Sequence, residues 1–180
     1  MFIEESKAEE IFRKYRDYVY RTALLLTKLR SLADDITQET FIRLYSHYDR
    51  FDDSRPMKPW IYTITLNVTK TFMKKQRIVN CFSFFSDDIA NDQVNSVEQS
   101  FLKSDELMEL WKAVHSLSWK SKEIIVLHFY SEFTLRECSQ ILGIPLGTAK
   151  SRLNTALKQL RRLELQGEFD LTKAGLYEEG

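Results

Sequence analysis

Apolar side chains recur at helical spacing along most of the chain. Ile11, Tyr15, Val19, Thr22, Leu26 and Leu29 make the first stripe. Ser6 followed by Glu9 has capping-box spacing and predicts a helix start there. Ser31 and Asp34 predict a second cap, ahead of a helix carrying Ile36, Phe41, Leu44, Tyr45 and Tyr48. The stretch Tyr48 to Pro56 reads as a loop. Pro59 suits the first turn of a third helix, where its missing N–H costs nothing, and that helix should run to about Gln76. Its apolar face is Ile61, Ile64, Val68 and Phe72; the opposite side carries Thr63, Asn67, Lys70, Lys74 and Arg77.

Residues 80–103 lack a sustained period and are rich in Asn, Asp and Ser, which predicts a linker. Its aromatic cluster, Phe82, Phe84 and Phe85, is expected to pack on a flanking domain rather than to bind a ligand. Ser104 is the expected cap of a helix bearing Leu107, Leu110, Trp111, Val114 and Leu117, and another helix covers about Trp119 to Tyr130. Thr134 with Glu137 is a further capping-box pattern. It opens a short helix that Gly143 ends as a left-handed cap, and a last helix runs from about Leu146 to Leu163. No alternating strand pattern of useful length occurs. The expected fold is all-α: two small helical domains, residues 1–79 and 104–165, joined by a flexible acidic linker, 80–103, and followed by a tail, 166–180.

Composition narrows the class. The 180 residues are 43% hydrophobic and 29% charged, with few Gly and Pro, as in globular chains rather than disordered ones. The two Cys, at 81 and 138, and the three His, at 47, 115 and 128, share no ligand spacing, so neither a disulfide scaffold nor a metal site is expected, and no cofactor. No apolar run approaches a membrane span, and the acidic N-terminus lacks a signal-peptide core; a cytoplasmic protein is expected. Net charge is zero but unevenly spread: +4 over residues 1–80, −6 over 81–110, +5 over 111–166 and −3 over 167–180. Two basic blocks around an acidic connector fit two nucleic-acid-facing units.

Residues 134–153, TLRECSQILGIPLGTAKSRL, carry the most specific pattern. A helix-turn-helix needs a small residue where its helices cross, a glycine in the turn and apolar residues clamping the pair. Ser139, Gly143 and the set Cys138, Leu142, Ile144, Ala149 and Leu153 supply these. The second helix turns Ala149, Leu153, Ala156, Leu157 and Leu160 inward. It leaves Thr148, Lys150, Ser151, Arg152, Asn154, Thr155 and Lys158 for solvent or for a DNA major groove, where such side chains read base edges and phosphates. An ordinary solvated helical hairpin is the alternative. In the first block, Trp60 and the row Thr63, Asn67, Lys70, Lys74 and Arg77 follow a loop containing Phe51. Basic side chains can track phosphates, and aromatic ones can stack on an unpaired base. A core role is favoured for Trp60, and a merely solvated lysine stripe stays open.

The order of these blocks resembles the bacterial RNA polymerase sigma factors of the extracytoplasmic-function (ECF) type, in the sigma-70 family, over roughly residues 8–163. DDITQETFIRLY (34–45) is similar to their core-polymerase-binding helix, PWIYTITLNVTKTFMKKQR (59–77) to the helix that opens and reads the −10 element, and GTAKSRL (147–153) to the −35 reading helix. The resemblance implies a non-enzymatic factor that docks on core RNA polymerase through Asp35, Gln38, Glu39 and Ile42. It implies that Phe51 and Asn67 hold a flipped base, that Lys70, Lys74 and Arg77 hold backbone phosphate, and that Lys150, Ser151 and Arg152 read the −35 element of promoter DNA. It also implies an anti-sigma factor partner. Leu66, Thr71 and Thr155 stand where the family often has Arg, Asp and Arg; the fewer basic side chains imply fewer phosphate contacts and a shallower salt dependence.

Two rival readings are distinguishable. A stand-alone helix-turn-helix regulator would dimerise, but no heptad seam is present and residues 8–78 would have no role. A helical enzyme would need nucleophile or metal spacing that the chain lacks; Asp34/Asp35 and Asp52/Asp53 read as a helix N-terminal charge and a solvated loop.

Overall fold

The computed structural model describes residues 3–83 and 105–165, with side chains for 3–76 and 110–165. The chain divides into two compact units, Met1–Asp92 and Gln93–Gly180. Every described element is helical or a turn. The three linker Phe side chains, the Ser104 cap, the Arg77 side chain and the tail from residue 166 lie outside the described residues.

Unit 1 packs α1 (Glu5–Thr27), α2 (Arg30–Ser46) and α3 (Met57–Ser83) pairwise, with a 3₁₀ turn at Tyr48–Arg50. One core cluster joins Ile11, Val19, Phe41, Leu44 and Ile61; another joins Ala23, Ala33, Ile36 and Val68. Each large apolar side chain taken fully from water contributes about 1.5–3 kcal/mol, which is why the helical stripes of the sequence become the interior. The Tyr45 hydroxyl donates to the Ala8 carbonyl at 2.9 Å and ties the end of α2 to the start of α1. Lys28 closes α1 in the left-handed region (φ 67), its N–H bonding to Leu24 O at 2.8 Å. The buried Thr65 and Thr69 hydroxyls donate back to carbonyls four residues earlier, at 2.9 and 2.7 Å, so α3 carries polar groups through the core at no loss of hydrogen bonding.

Three expectations are corrected in unit 1. The α1 cap is Glu4, not Ser6, and it makes no side-chain cap bond; Ala8 N–H reaches Glu4 O at 2.9 Å, and Glu5 in the first turn suits the helix dipole instead. The α2 cap is Leu29, because the left-handed Lys28 ends one helix so abruptly that the next begins at Arg30; Ser31 therefore lies inside the helix rather than at its cap. Helix α3 continues to Ser83, past the expected stop, since Ile78 to Ser83 contain neither Gly nor Pro.

Unit 2 comprises α4 (Asp105–Ser116), α5 (Trp119–Ile125), α6 (Leu135–Leu142) and α7 (Leu146–Leu165). Its interior holds Leu110, Val114, Ile124, Ile125, Leu127, Cys138, Leu153 and Leu160. Ser118 caps α5, its hydroxyl accepting from Ser121 N–H at 3.3 Å. The helix expected to run unbroken to Tyr130 widens into a π turn over Val126–Tyr130. Ser131 N–H then reaches Val126 O at 3.0 Å, and Glu132 (φ 59) turns the chain toward α6. No described helix is long and apolar enough to cross a membrane.

Candidate nucleic-acid interfaces

The helix-turn-helix of unit 2 is held at both ends of its first helix. Thr134 Oγ1 accepts from Glu137 N–H at 3.3 Å, while the Glu137 carboxylate accepts from Thr134 N–H at 2.9 Å, a reciprocal capping box. At the other end Gly143 sits at φ 63. Ile144 N–H reaches Ser139 O at 2.9 Å and Gly143 N–H reaches Gln140 O at 3.2 Å, the paired bonds of a Schellman ending. The Pro145 carbonyl then accepts from Thr148 and Ala149 N–H at 2.9 and 3.0 Å and starts α7. Ser139 is buried at the crossing, as its small size requires, and its hydroxyl is satisfied by Arg136 O at 2.7 Å. Burial pushes the Cys138 thiol up to about 12, so it is a packing group and not a nucleophile.

On α7, Ala149, Leu153, Ala156, Leu157 and Leu160 face the core. Lys150, Ser151, Asn154, Thr155 and Lys158 are exposed, and Thr148 is half-buried. At about 100° per residue the five exposed positions span roughly 140° of arc. Arg152 lies about 60° beyond the edge of that arc, toward Ala156. It is the exception among the expected readers. Its guanidinium Nη1 lies 2.9 Å from Glu123 Oε1 on α5, with side-chain exposures of 21% and 3%. Glu123 stands immediately before the apolar run Ile124–Leu127, and an ionised carboxylate buried so fully is costly unless it is paired. Removing one member of such a pair strands the other's charge and costs about 3–5 kcal/mol.

In unit 1, Thr63, Asn67, Lys70 and Lys74 recur at three and four residues and share one face of α3. Asn67 and Lys74 are exposed; Thr63 and Lys70 are half-buried, and the Thr63 hydroxyl donates to Pro59 O at 3.0 Å. Leu66, at a position where the family often has a cation, is buried in the core. Phe51 stacks on Trp60 at 4.8 Å with 28° between the rings, and Tyr48 closes the group at 6.0 and 6.5 Å. Trp60 packs in turn on the main core cluster, in line with the core role favoured for it. Asn67 lies two turns further along the same helix face, roughly 10 Å along the axis. The loop after Phe51 is ordered by Asp52. That carboxylate accepts from Ser54 Oγ and N–H at 2.6 and 3.1 Å and pairs with Arg55 at 3.1 Å. The Ser54 bonds, with Arg55 beside them, hold the Asp52 carboxyl below the usual carboxylate range.

The outer stripe of α2 presents Asp35, Gln38 and Ile42, the last 58% exposed, while Glu39 is half-buried and bonds Arg43 Nε at 2.7 Å. Phe12 and Tyr18 on α1 are also exposed, and Phe12 sits edge-on to Phe41 at 4.9 Å. Glu123, Phe12 and Tyr18 were not among the expected site residues, and Asp52, expected as part of a solvated loop, orders that loop. Only Glu123 carried a signal, an acid at the head of the apolar run Ile124–Leu127. Among the described residues no group of His, Cys, Asp and Glu could hold a metal.

Residues 11–78 match the family description Sigma-70 region 2, and residues 113–162 match Sigma-70, region 4. The chain is 31% identical over 163 residues to the ECF RNA polymerase sigma factor SigM of Bacillus subtilis, covering 90% of this chain and 98% of that protein. It is an ECF sigma factor of the sigma-70 family. A sigma factor gives RNA polymerase its promoter specificity at initiation and is not itself a catalyst. The sigma factor is also 28% identical over 176 residues to SigL of Mycobacterium tuberculosis, covering 94% of each chain. Its fold is that of RpoE from Bartonella quintana, solved with the anti-sigma factor NepR (TM-score 0.68, 24% identity, 86% of this chain and 94% of that one). It also matches CnrH, solved with the cytosolic domain of CnrY (TM-score 0.65, 19% identity, 89% and 88%).

Proposed function

We propose that the two units divide promoter recognition between them in the cytoplasm. Unit 1 docks on core RNA polymerase through Asp35, Gln38, Glu39 and Ile42 of α2. Its α3 row takes the −10 element: Phe51 and Asn67 hold a base extruded from the non-template strand, and Lys70, Lys74 and Arg77 hold backbone phosphate. Extruding a base costs a few kcal/mol; stacking one on an aromatic ring returns about 1–3 kcal/mol, so ring and amide together are of the right order. Unit 2 reads the −35 element with Thr148, Lys150, Ser151, Asn154, Thr155 and Lys158. The observation that carries this reading is the split of α7 into a buried apolar row and an exposed polar row, on a turn fixed by Gly143. An anti-sigma factor masks the polymerase-binding or DNA-binding faces until the signal for release; the solved neighbour RpoE was captured with the anti-sigma factor NepR.

Run-off transcription from fragmented host DNA, with core polymerase and with or without this chain, tests the reading. Discrete transcripts that need the chain, and that fall sharply with Lys150→Ala, support it. Transcripts insensitive to Lys150→Ala at physiological salt remove α7 from −35 reading. Tight duplex binding by the chain alone, with no new transcripts, would mark a stand-alone regulator.

A further inference from the structure

Four side chains of α7 follow one another at reading positions, and three of them behave alike. Lys150, Ser151 and Asn154 are exposed, whereas Arg152 turns back to Glu123 on α5. The pair spans 29 residues of sequence and joins α5, in the middle of the unit, to the first turns of the reading helix. Glu123 is 3% exposed, so water screens the pair little. For the guanidinium to leave for DNA it would abandon a buried carboxylate, and a phosphate or guanine edge at the surface does not repair that loss. The arc of α7 agrees: Arg152 lies outside the arc of the five exposed reading positions and between it and the core row at Ala156.

We propose that Arg152 is a positioning residue for −35 recognition: it stays bonded to Glu123 in the promoter complex and fixes the rotation and height of α7, so that Lys150, Ser151, Asn154 and Thr155 meet the groove. This rests on the reading of unit 2 as the −35 unit. Arg is permanently charged, and its Nη1 donates directly to Glu123 Oε1 at 2.9 Å, which ties α7 to α5 at a set point along the helix. The −35 contacts then belong to the rest of the α7 polar row, and Arg152 adds no phosphate contact of its own.

The test uses the full chain with core polymerase on a promoter recovered by run-off transcription, and on the same template with its −35 segment replaced. The readouts are the transcript ratio between the two templates and the slope of log binding against log salt. Arg152→Met is expected to lower the ratio at least about tenfold. The double variant Glu123→Leu/Arg152→Met replaces the pair by apolar groups and removes the stranded charge. It is expected to return the ratio to within about threefold of wild type with an unchanged salt slope, whereas Lys150→Ala lowers that slope by about one. A double variant that unfolds at the wild-type midpoint yet keeps the tenfold loss, or whose slope falls by about one, overturns the proposal. If the double variant does not fold, phenylglyoxal labelling of wild type decides. Arg152 should react slowly and equally with and without promoter; protection that depends on the promoter makes it a DNA contact. Equal transcription of both templates by wild type would overturn the −35 reading itself, and is a different failure from loss of the ratio in the double variant alone.

Discussion

The reading helix of unit 2 and the reading helix of unit 1 are prepared in opposite ways. On α7 the side chains proposed to read DNA are exposed and the helix is held by polar locks, directly by the Arg152–Glu123 pair and through the preceding α6 by a capping box and a Schellman ending. On α3 the aromatic ring expected to meet a base is already stacked, Phe51 on Trp60 at 4.8 Å, and the loop behind it is ordered by Asp52. The difference follows from the two ligands. A duplex groove has fixed hydrogen-bonding edges and rewards a rigid row of side chains at set spacing. An extruded base brings a flat apolar face and rewards an aromatic platform whose tilt is fixed in advance. Ion pairs and caps set a helix; stacked rings set a platform.

The largest test of this contrast is Arg152→Met. It should lower the stability of unit 2 by about 3–5 kcal/mol, because it takes the paired cation from a buried carboxylate. Chemical denaturation followed separately in the two units should place the loss in unit 2, and a loss below about 1 kcal/mol would mean the lock is ornamental. Trp60→Ala is the counterpart in unit 1. Trp60 is only half-buried, so a loss of about 3 kcal/mol, at the low end for a buried aromatic, is expected. The same variant should release Phe51, seen as loss of aromatic near-ultraviolet dichroism. Thr134→Ala removes one arm of the capping box and should cost about 1 kcal/mol, again in unit 2 alone.

The smallest expected effect is a pH dependence. Asp52 is exposed, and its carboxyl is held below the ordinary range by Ser54 and then Arg55. A depressed carboxyl contributes order that is fully present above its ordinary value and is lost as pH falls through the depressed one. Protection of the Ser54 and Arg55 amides, relative to their intrinsic exchange rates, should therefore hold at neutral pH and be lost only in acid, and Asp52→Asn should remove that pH dependence.

Much of the architecture was legible because it depends on period and on a few punctuating residues. The stripes Ile11 to Leu26 and Ala149 to Leu160 became core, and Thr134, Glu137 and Gly143 took the cap geometry their spacing implied. Ser6/Glu9 and Ser31/Asp34 have equally good local patterns but did not become caps, since the acidic first turn of α1 and the abrupt stop at Lys28 set those starts. The α7 row was legible as a face, but Arg152's partner was not. Pairing across 29 residues depends on how α5 packs on α7, which no local spacing encodes. The Phe51–Trp60 stack was hidden for the same reason. It joins a loop to a helix across a turn whose path Asp52 determines through Ser54 and Arg55.

The division of labour between the units is tested most directly by scoring recruitment and strand opening separately on one promoter. Holoenzymes carrying Lys150→Ala or Asn67→Ala would be compared with wild type by footprinting of the −35 segment and by permanganate reactivity of the −10 thymines. Lys150→Ala should lose −35 occupancy while the complexes that do form open normally. Asn67→Ala should bind at near wild-type occupancy and lose permanganate reactivity. If both variants fail at the same step, or Asn67→Ala opens the −10 element normally, the two units do not divide the promoter as their side chains indicate.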